Sequence, residues 1–170
     1  MVSSSRARPP RGDRFPDAGR SFHVTLFTER RTRHLSPLPV ARSVVRALAA
    51  AAAEALTRTL AWTVLPDQVQ WVFVLGDFTE LARPIRAVKT RSAAEIVPRL
   101  MLAGPLWQPA FAEERLPDDA AVEARARAVV AAPLHKRLVR EIGAWSHWDT
   151  TLPSVLRAAV AGELVDEAIP

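Results

Sequence analysis

Along Phe22-His-Val-Thr-Leu-Phe27 apolar and polar residues alternate, the two-residue period of a strand with one buried face, and the pattern stops at the polar cluster Glu29 to His34. From 39 to 59 the period changes. Val40, Val44, Ala47, Leu48 and Ala51 fall on one helical face of an Ala/Leu/Arg-rich stretch, and Pro39 sits near its start, where a missing N–H costs nothing. Leu60-Ala-Trp-Thr-Val-Leu65 and residues 69–75 are two β-rich runs separated by little more than Pro66-Asp67, which predicts an antiparallel pair ended by Gly76-Asp77. Residues 79–101 predict a second helix anchored by Leu81, Ile85, Val88, Ile96 and Leu100, with Pro84 and Pro98 marking its ends or kinking it. After Gly104-Pro105, residues 106–116 read as a fourth strand. Pro117-Asp118-Asp119 then starts a helix over 120–132 that Pro133 is expected to stop.

The resulting order, β-α-β-β-α-β-α, predicts an α+β fold: a split βαβ, ferredoxin/RRM-like antiparallel sheet with helices packed mainly on one face. The expected organisation is a disordered basic arm over 1–20, a domain over 21–150, and a C-terminal helix with an acidic tail over 151–170. In that last part Trp145 and Trp148 are expected to wrap the body, a short helix is expected near 153–161, and Glu163, Asp166 and Glu167 supply the acidic charge.

Composition narrows the classes. With 170 residues of which 49% are hydrophobic, the chain can bury an ordinary core. It has no cysteine, which excludes disulfides and thiolate metal sites and makes the cytoplasm the expected compartment. The start lacks the apolar run of a signal peptide, and the longest apolar run, over 47–56, is broken by Glu54 and falls far short of the roughly 20 residues needed to span a bilayer. The net charge of +5 is uneven: residues 1–58 hold eleven arginines against four carboxylates, and the remainder is slightly acidic. That asymmetry suits a polyanionic partner, although an arginine-rich coding bias produces the same signature.

At Val64-Leu-Pro-Asp-Gln-Val-Gln70 the chain resembles the REP-associated tyrosine transposases, of the single-tyrosine HUH class, whose third strand carries a proline-aspartate turn followed by His-hydrophobic-His. Phe22-His-Val-Thr25 is similar to the family's first strand, Lys89-Thr-Arg-Ser92 to the basic part of its second helix, and Gly104-Pro-Leu-Trp-Gln108 with Phe111 to the next strand. Ala128-Val-Val-Ala-Ala-Pro-Leu134 followed by Leu138-Val139 resembles the tyrosine helix, and Trp145-Ser146 with Trp148 the closing segment. The matches cover about residues 22 to 149, each weak alone and more specific as an ordered set.

The resemblance implies a divalent cation held by two imidazoles and a tyrosine that attacks the scissile phosphate, leaving a phosphotyrosine link. The sequence departs at each part. Gln68 and Gln70 stand where the histidine pair is expected, and two neutral amides without a carboxylate make a poor site for a cation that dehydrates reluctantly. Ala128 stands at the nucleophile position and Ala132 at that of the helix asparagine, and the chain contains no tyrosine at all. No catalytic residue and no cofactor are therefore expected. His23, His34, His135 and His147 are too scattered for a metal pair, and Asp67 most simply shapes its turn.

What the resemblance leaves is binding to single-stranded or hairpin DNA, through groups distinct from the metal ligands. The candidates are Arg83, Arg86, Lys89 and Arg91 on the second helix and Arg30, Arg31 and Arg33 after the first strand, each weighed against an ordinary solvated surface. Trp107 is a candidate for stacking on an unpaired base, against the commoner core role of a strand tryptophan. A homodimer is compatible with the resemblance and a membrane partner is not expected. Two other readings stand beside this one: a weak DNA nickase using substituted groups, and a protein-interaction module with no DNA role.

Overall fold

The computed structural model describes residues 15–164; residues 1–14 and 165–170 lie outside the described part, and with them most of the expected basic arm and the acidic residues Asp166 and Glu167. Five strands form one antiparallel sheet in the order β4-β1-β3-β2-β5: β1 Ser21–Phe27, β2 Thr57–Leu65, β3 Gln68–Leu75, β4 Ala112–Leu116 and β5 Trp148–Thr150. The helices are α1 Leu38–Ala53, α2 Ala82–Leu100, α3 Asp119–His135 and α4 Pro153–Ala161. The α+β architecture and antiparallel sheet are those the pattern predicts, and the two helices of the split βαβ unit, α1 and α2, share one face. The helices that follow that unit, α3 and α4, cover the other face, so the sheet is buried on both sides.

Strand alternation explains the two cores. Val69, Trp71, Phe73 and Leu75 of β3 join Phe22, Val24 and Leu26 of β1 beneath α1 and α2. Trp71 and Phe73 rings lie 4.1 Å apart, and the buried Trp71 indole donates to Thr59 Oγ1 at 3.1 Å, so its one polar atom is satisfied. The even positions of β3 face the other way, and there Val72 packs with Leu60, Leu116, Val129 and Val155.

Three boundaries differ from the sequence expectation, each for a local reason. The first helix ends at Ala53 instead of 59, because Ala55 turns left-handed (φ 55°) and β-branched Thr57 and Thr59 enter the sheet. The close approach at that turn requires Gly76, where a Cβ would lie 2.2 Å from the Ala55 carbonyl oxygen. The fourth strand is confined to Ala112–Leu116, preceded by a single bridge between Thr28 and Trp107, since Pro109 has no N–H to pair. The third helix runs through Pro133 to His135. Proline cannot donate to the Val129 carbonyl, and the wholly buried Thr63 hydroxyl does so instead at 2.7 Å.

Within the expected arm, residues 15–20 form a turn tied to the end of β3, with Gly19 N donating to Leu75 O and Leu75 N to Arg20 O, both at 2.9 Å. Among the described residues no helix is long and apolar enough to cross a membrane.

Candidate nucleic-acid interface

On the sheet face under α3, β3 begins with two glutamines, of which Gln70 has polar neighbours on both adjacent strands. The register places Thr25 of β1, Gln70 of β3 and Thr63 of β2 side by side in one row, with Phe27, Gln68 and Leu65 in a second row shifted two residues along each strand. Gln68 is 4% exposed, Thr25 and Thr63 are buried, and Gln70 is half-buried. Ala128 and Ala132 lie one turn apart on α3, either side of Val129, whose carbonyl the Thr63 hydroxyl holds. Thr63 thus ties the row that holds Gln70 to the helix that carries Ala128 and Ala132, and the four positions singled out in the sequence carry two amides and two methyl groups. None is a nucleophile.

Gln68 is already engaged. Its Oε1 accepts from Arg31 Nη2 at 2.7 Å, and Arg31 Nε donates to Asp67 Oδ2 at 2.9 Å. The Arg31 guanidinium carbon also stands 4.4 Å from the centre of the Phe27 ring. Asp67 thus does more than shape its turn: its carboxylate orients a cation, while its carbonyl accepts from Thr28 N and Thr28 Oγ1, both at 3.0 Å. Thr28 is fully buried, and its hydroxyl reaches both the Asp67 and the Thr32 carbonyls, which binds the loop after β1 to the β2–β3 turn. Sequence reasoning had no signal for Thr28, because its partner lies 39 residues away.

Around this end of the sheet the positive charge is concentrated. Arg30 and Arg31 both adopt left-handed backbone (φ 52° and 56°) in a tight turn after β1, and Arg30 and Arg33 are exposed with no ion pair among the described residues. Glu29, Arg30, Thr32 and His34 form one wall of an open depression of about 420 Å³, whose other wall is residues 102–105 beyond α2. Arg42 of α1 was missed by the sequence reading, and His147 was given no role there. They lie close enough for Arg42 to oppose His147 protonation, after burial as the main cause of its lowered pKa, and the His147 carbonyl accepts from Val64 N near the same turn.

The α2 cations separate into different roles. Arg83 and Arg86 are exposed with no ion pair among the described residues. They lie near the start of α2, and at about 1.5 Å of rise per residue that is roughly 25 Å from the loop that meets Arg30. Lys89 is not available to a phosphate: its ammonium donates to the carbonyls of Gln108, Pro109 and Ala110 at 2.7, 3.1 and 3.1 Å, which uses all three N–H donors, and burial lowers its pKa. Arg91 is ion-paired with Glu54, as Arg46 is with Glu95, and these two pairs join α1 to α2. Trp107 likewise departs from its candidate role. It is 6% exposed, and its Nε1 donates to buried Ser92 Oγ at 3.0 Å, so no ring face is open to a base.

A different polar cluster sits nearer the other end of β1. His23 Nδ1 lies 3.7 Å from Glu114 Oε2, which in turn pairs with Arg125 at 2.6 Å, while His23 Nε2 is buried without a partner among the described residues. Burial first and Arg125 second push the His23 pKa down, against the opposing pull of Glu114. Among the described residues no group of three or more His, Cys, Asp or Glu could hold a metal ion.

No protein-family model matches the chain. No curated protein matches it significantly. Solved structures do. One is a REP-associated tyrosine transposase bound to a REP hairpin, similar at a TM-score of 0.66 and 17% identity over 97% of this chain and 88% of that one. A second, from Deinococcus radiodurans and described as a transposase, aligns at a TM-score of 0.51 and 21% identity over 62% of this chain and 85% of its own. At such identities the likeness speaks for architecture: the chain has the fold of the REP-associated tyrosine transposases.

Proposed function

We propose that the chain is a DNA-binding member of the single-tyrosine transposase group that holds single-stranded or hairpin DNA and does not cut it. The observation that carries the reading is the polar row itself: the chain has no tyrosine, and of the two hydroxyls beside Gln70, both buried, that of Thr63 already donates to the Val129 carbonyl. The structural neighbour bound to a REP hairpin supports the DNA partner. The exposed cations Arg30, Arg33, Arg83 and Arg86 supply phosphate contacts that do not depend on cleavage chemistry. Arg91 contributes less, because Glu54 already holds it.

The test is fluorescence anisotropy of the full chain with a labelled hairpin, an unstructured strand and a duplex over a series of salt concentrations. Hairpin-preferring binding with a steep salt slope is the expected result. Equally weak binding to all three refutes the reading. It would favour a protein-interaction role instead, for which one observation speaks: Leu156 and Val160, one turn apart on α4, are 43% and 81% exposed. A homodimer, if the chain forms one, is most simply sought on that surface.

A further inference from the structure

The transposases that the sequence resembles use a divalent cation, and the residues here do not fit one. The nearest neutral donor, Gln68 Oε1, accepts from a guanidinium, and the carboxylate beside it, Asp67, is held by the same guanidinium. A divalent ion placed on these oxygens would face the Arg31 charge at contact distance, with no imidazole or second carboxylate to offset the repulsion. Instead of a metal, the site has a cation of its own.

We infer that Arg31 takes over the electrostatic task at this end of the sheet, gripping a phosphodiester group of bound DNA without any metal. A guanidinium has five N–H donors in a planar fork. Nε and one N–H of Nη2 are used on Asp67 and Gln68, which leaves the second N–H of Nη2 and both of Nη1. The Nη1/Nη2 edge therefore presents two parallel donors, the spacing that two phosphate oxygens accept together. The plane is fixed on three sides, by Asp67, by Gln68 and by the Phe27 ring, so little rotamer entropy remains to be lost on binding.

The side chain is 44% exposed, so the two contacts it makes with Asp67 and Gln68 leave it open to a ligand. Asp67 approaches from the Nε side and offsets part of the charge, while the exposed Arg30 and Arg33 restore a net positive field around the turn. The left-handed backbone at both Arg30 and Arg31 is a conformation that residues with a Cβ rarely adopt, and it turns these two side chains out of the strand register. The consequence is a difference in kind from a metal site: chelators cannot remove the cation.

The inference rests on the DNA-binding reading above, and its test separates the two. Hairpin affinity of the full chain is measured by anisotropy in EDTA and in Mg²⁺, for the unaltered protein and for Arg31→Ala, Arg31→Lys and Arg33→Ala, with thermal unfolding confirming that each variant folds. The expected result is equal affinity in both buffers, a loss of about tenfold or more in Arg31→Ala with a salt slope lower by about one, a substantial loss in Arg31→Lys because a point charge cannot replace the fork, and a smaller loss in Arg33→Ala. Hairpin binding that EDTA abolishes overturns the inference, as does tight binding that Arg31→Ala leaves unchanged. An unaltered protein that binds no DNA overturns the DNA-binding reading and this inference with it. In a DNA-free arm, manganese added to the unaltered protein is expected to show no bound Mn²⁺ signal by electron paramagnetic resonance, and a bound ion that disappears in Gln68→Ala would also contradict the inference.

Discussion

The two faces of the sheet are built from the same strands and each carries an apolar core, but they differ at the start of β3. Under α1 and α2, β3 presents Val69, Trp71, Phe73 and Leu75 to an apolar core, whereas under α3 it presents Gln68 and Gln70 beside Thr25 and Thr63. One face is apolar along the whole of β3; the other places polar groups at and beside positions that the sequence resemblance singles out. Of these polar groups Thr63 is structural, since its hydroxyl holds the Val129 carbonyl.

The largest expected effect that separates the faces is Trp71→Ala. Removing the largest wholly buried side chain should cost about 3–5 kcal/mol in denaturant unfolding. A loss below about 1 kcal/mol would place the main core elsewhere. Next is Thr63→Val, which leaves the buried Val129 carbonyl without its donor and should cost roughly 1–3 kcal/mol. Combined with Pro133→Ala, which restores a helical N–H to that carbonyl, the cost should shrink; a double-mutant cycle showing simple additivity would discard the account of why α3 passes through a proline.

Smaller still is a pH effect confined to the polar side. With its pKa held below the ordinary 6.5 by burial and Arg125, His23 binds a proton more readily in the unfolded chain. Its stabilising contribution is complete above pH 6.5 and declines as the pH falls below it, toward the depressed folded value. His147, lowered by burial and Arg42, acts in the same direction. His23→Gln should therefore flatten the fall in stability on the acid side without abolishing it, and an unchanged slope in urea titrations across pH 5–7 would show that burial does not hold the His23 pKa down. The smallest effect belongs to Gln70→Leu. The Gln70 side chain is half-buried with no hydrogen bond of its own among the described residues, so the change should shift stability by no more than about 1 kcal/mol in either direction. A large loss would mean that the amide is structural.

The strand-turn-strand centre of the fold was legible in sequence because its periods are strong and local: Phe22–Phe27, Leu60–Leu65 and the apolar run after Gln68 all pair as their patterns predict. What sequence could not show depends on distant partners. Pro133 reads as a helix stop unless one knows that Thr63, 66 residues before Val129, supplies the missing donor. Lys89 reads as a free cation on a basic stripe until the carbonyls at 108–110 are seen to surround it. The candidate positions Gln68, Gln70, Ala128 and Ala132 came from resemblance, and the geometry that joins them comes from strand register and one side-chain hydrogen bond. Arg31 stood in the sequence as one of three similar arginines, and only its contacts with Asp67, Gln68 and Phe27 single it out.

The central claim is that this scaffold holds DNA without breaking it, and a single denaturing gel tests it. The unaltered full chain is incubated at saturating concentration with an end-labelled hairpin carrying single-stranded flanks, in Mn²⁺. The account predicts an intact strand and no covalent protein–DNA adduct. A metal-dependent nick or adduct that is lost when Gln68 and Gln70 are both replaced by alanine would contradict it.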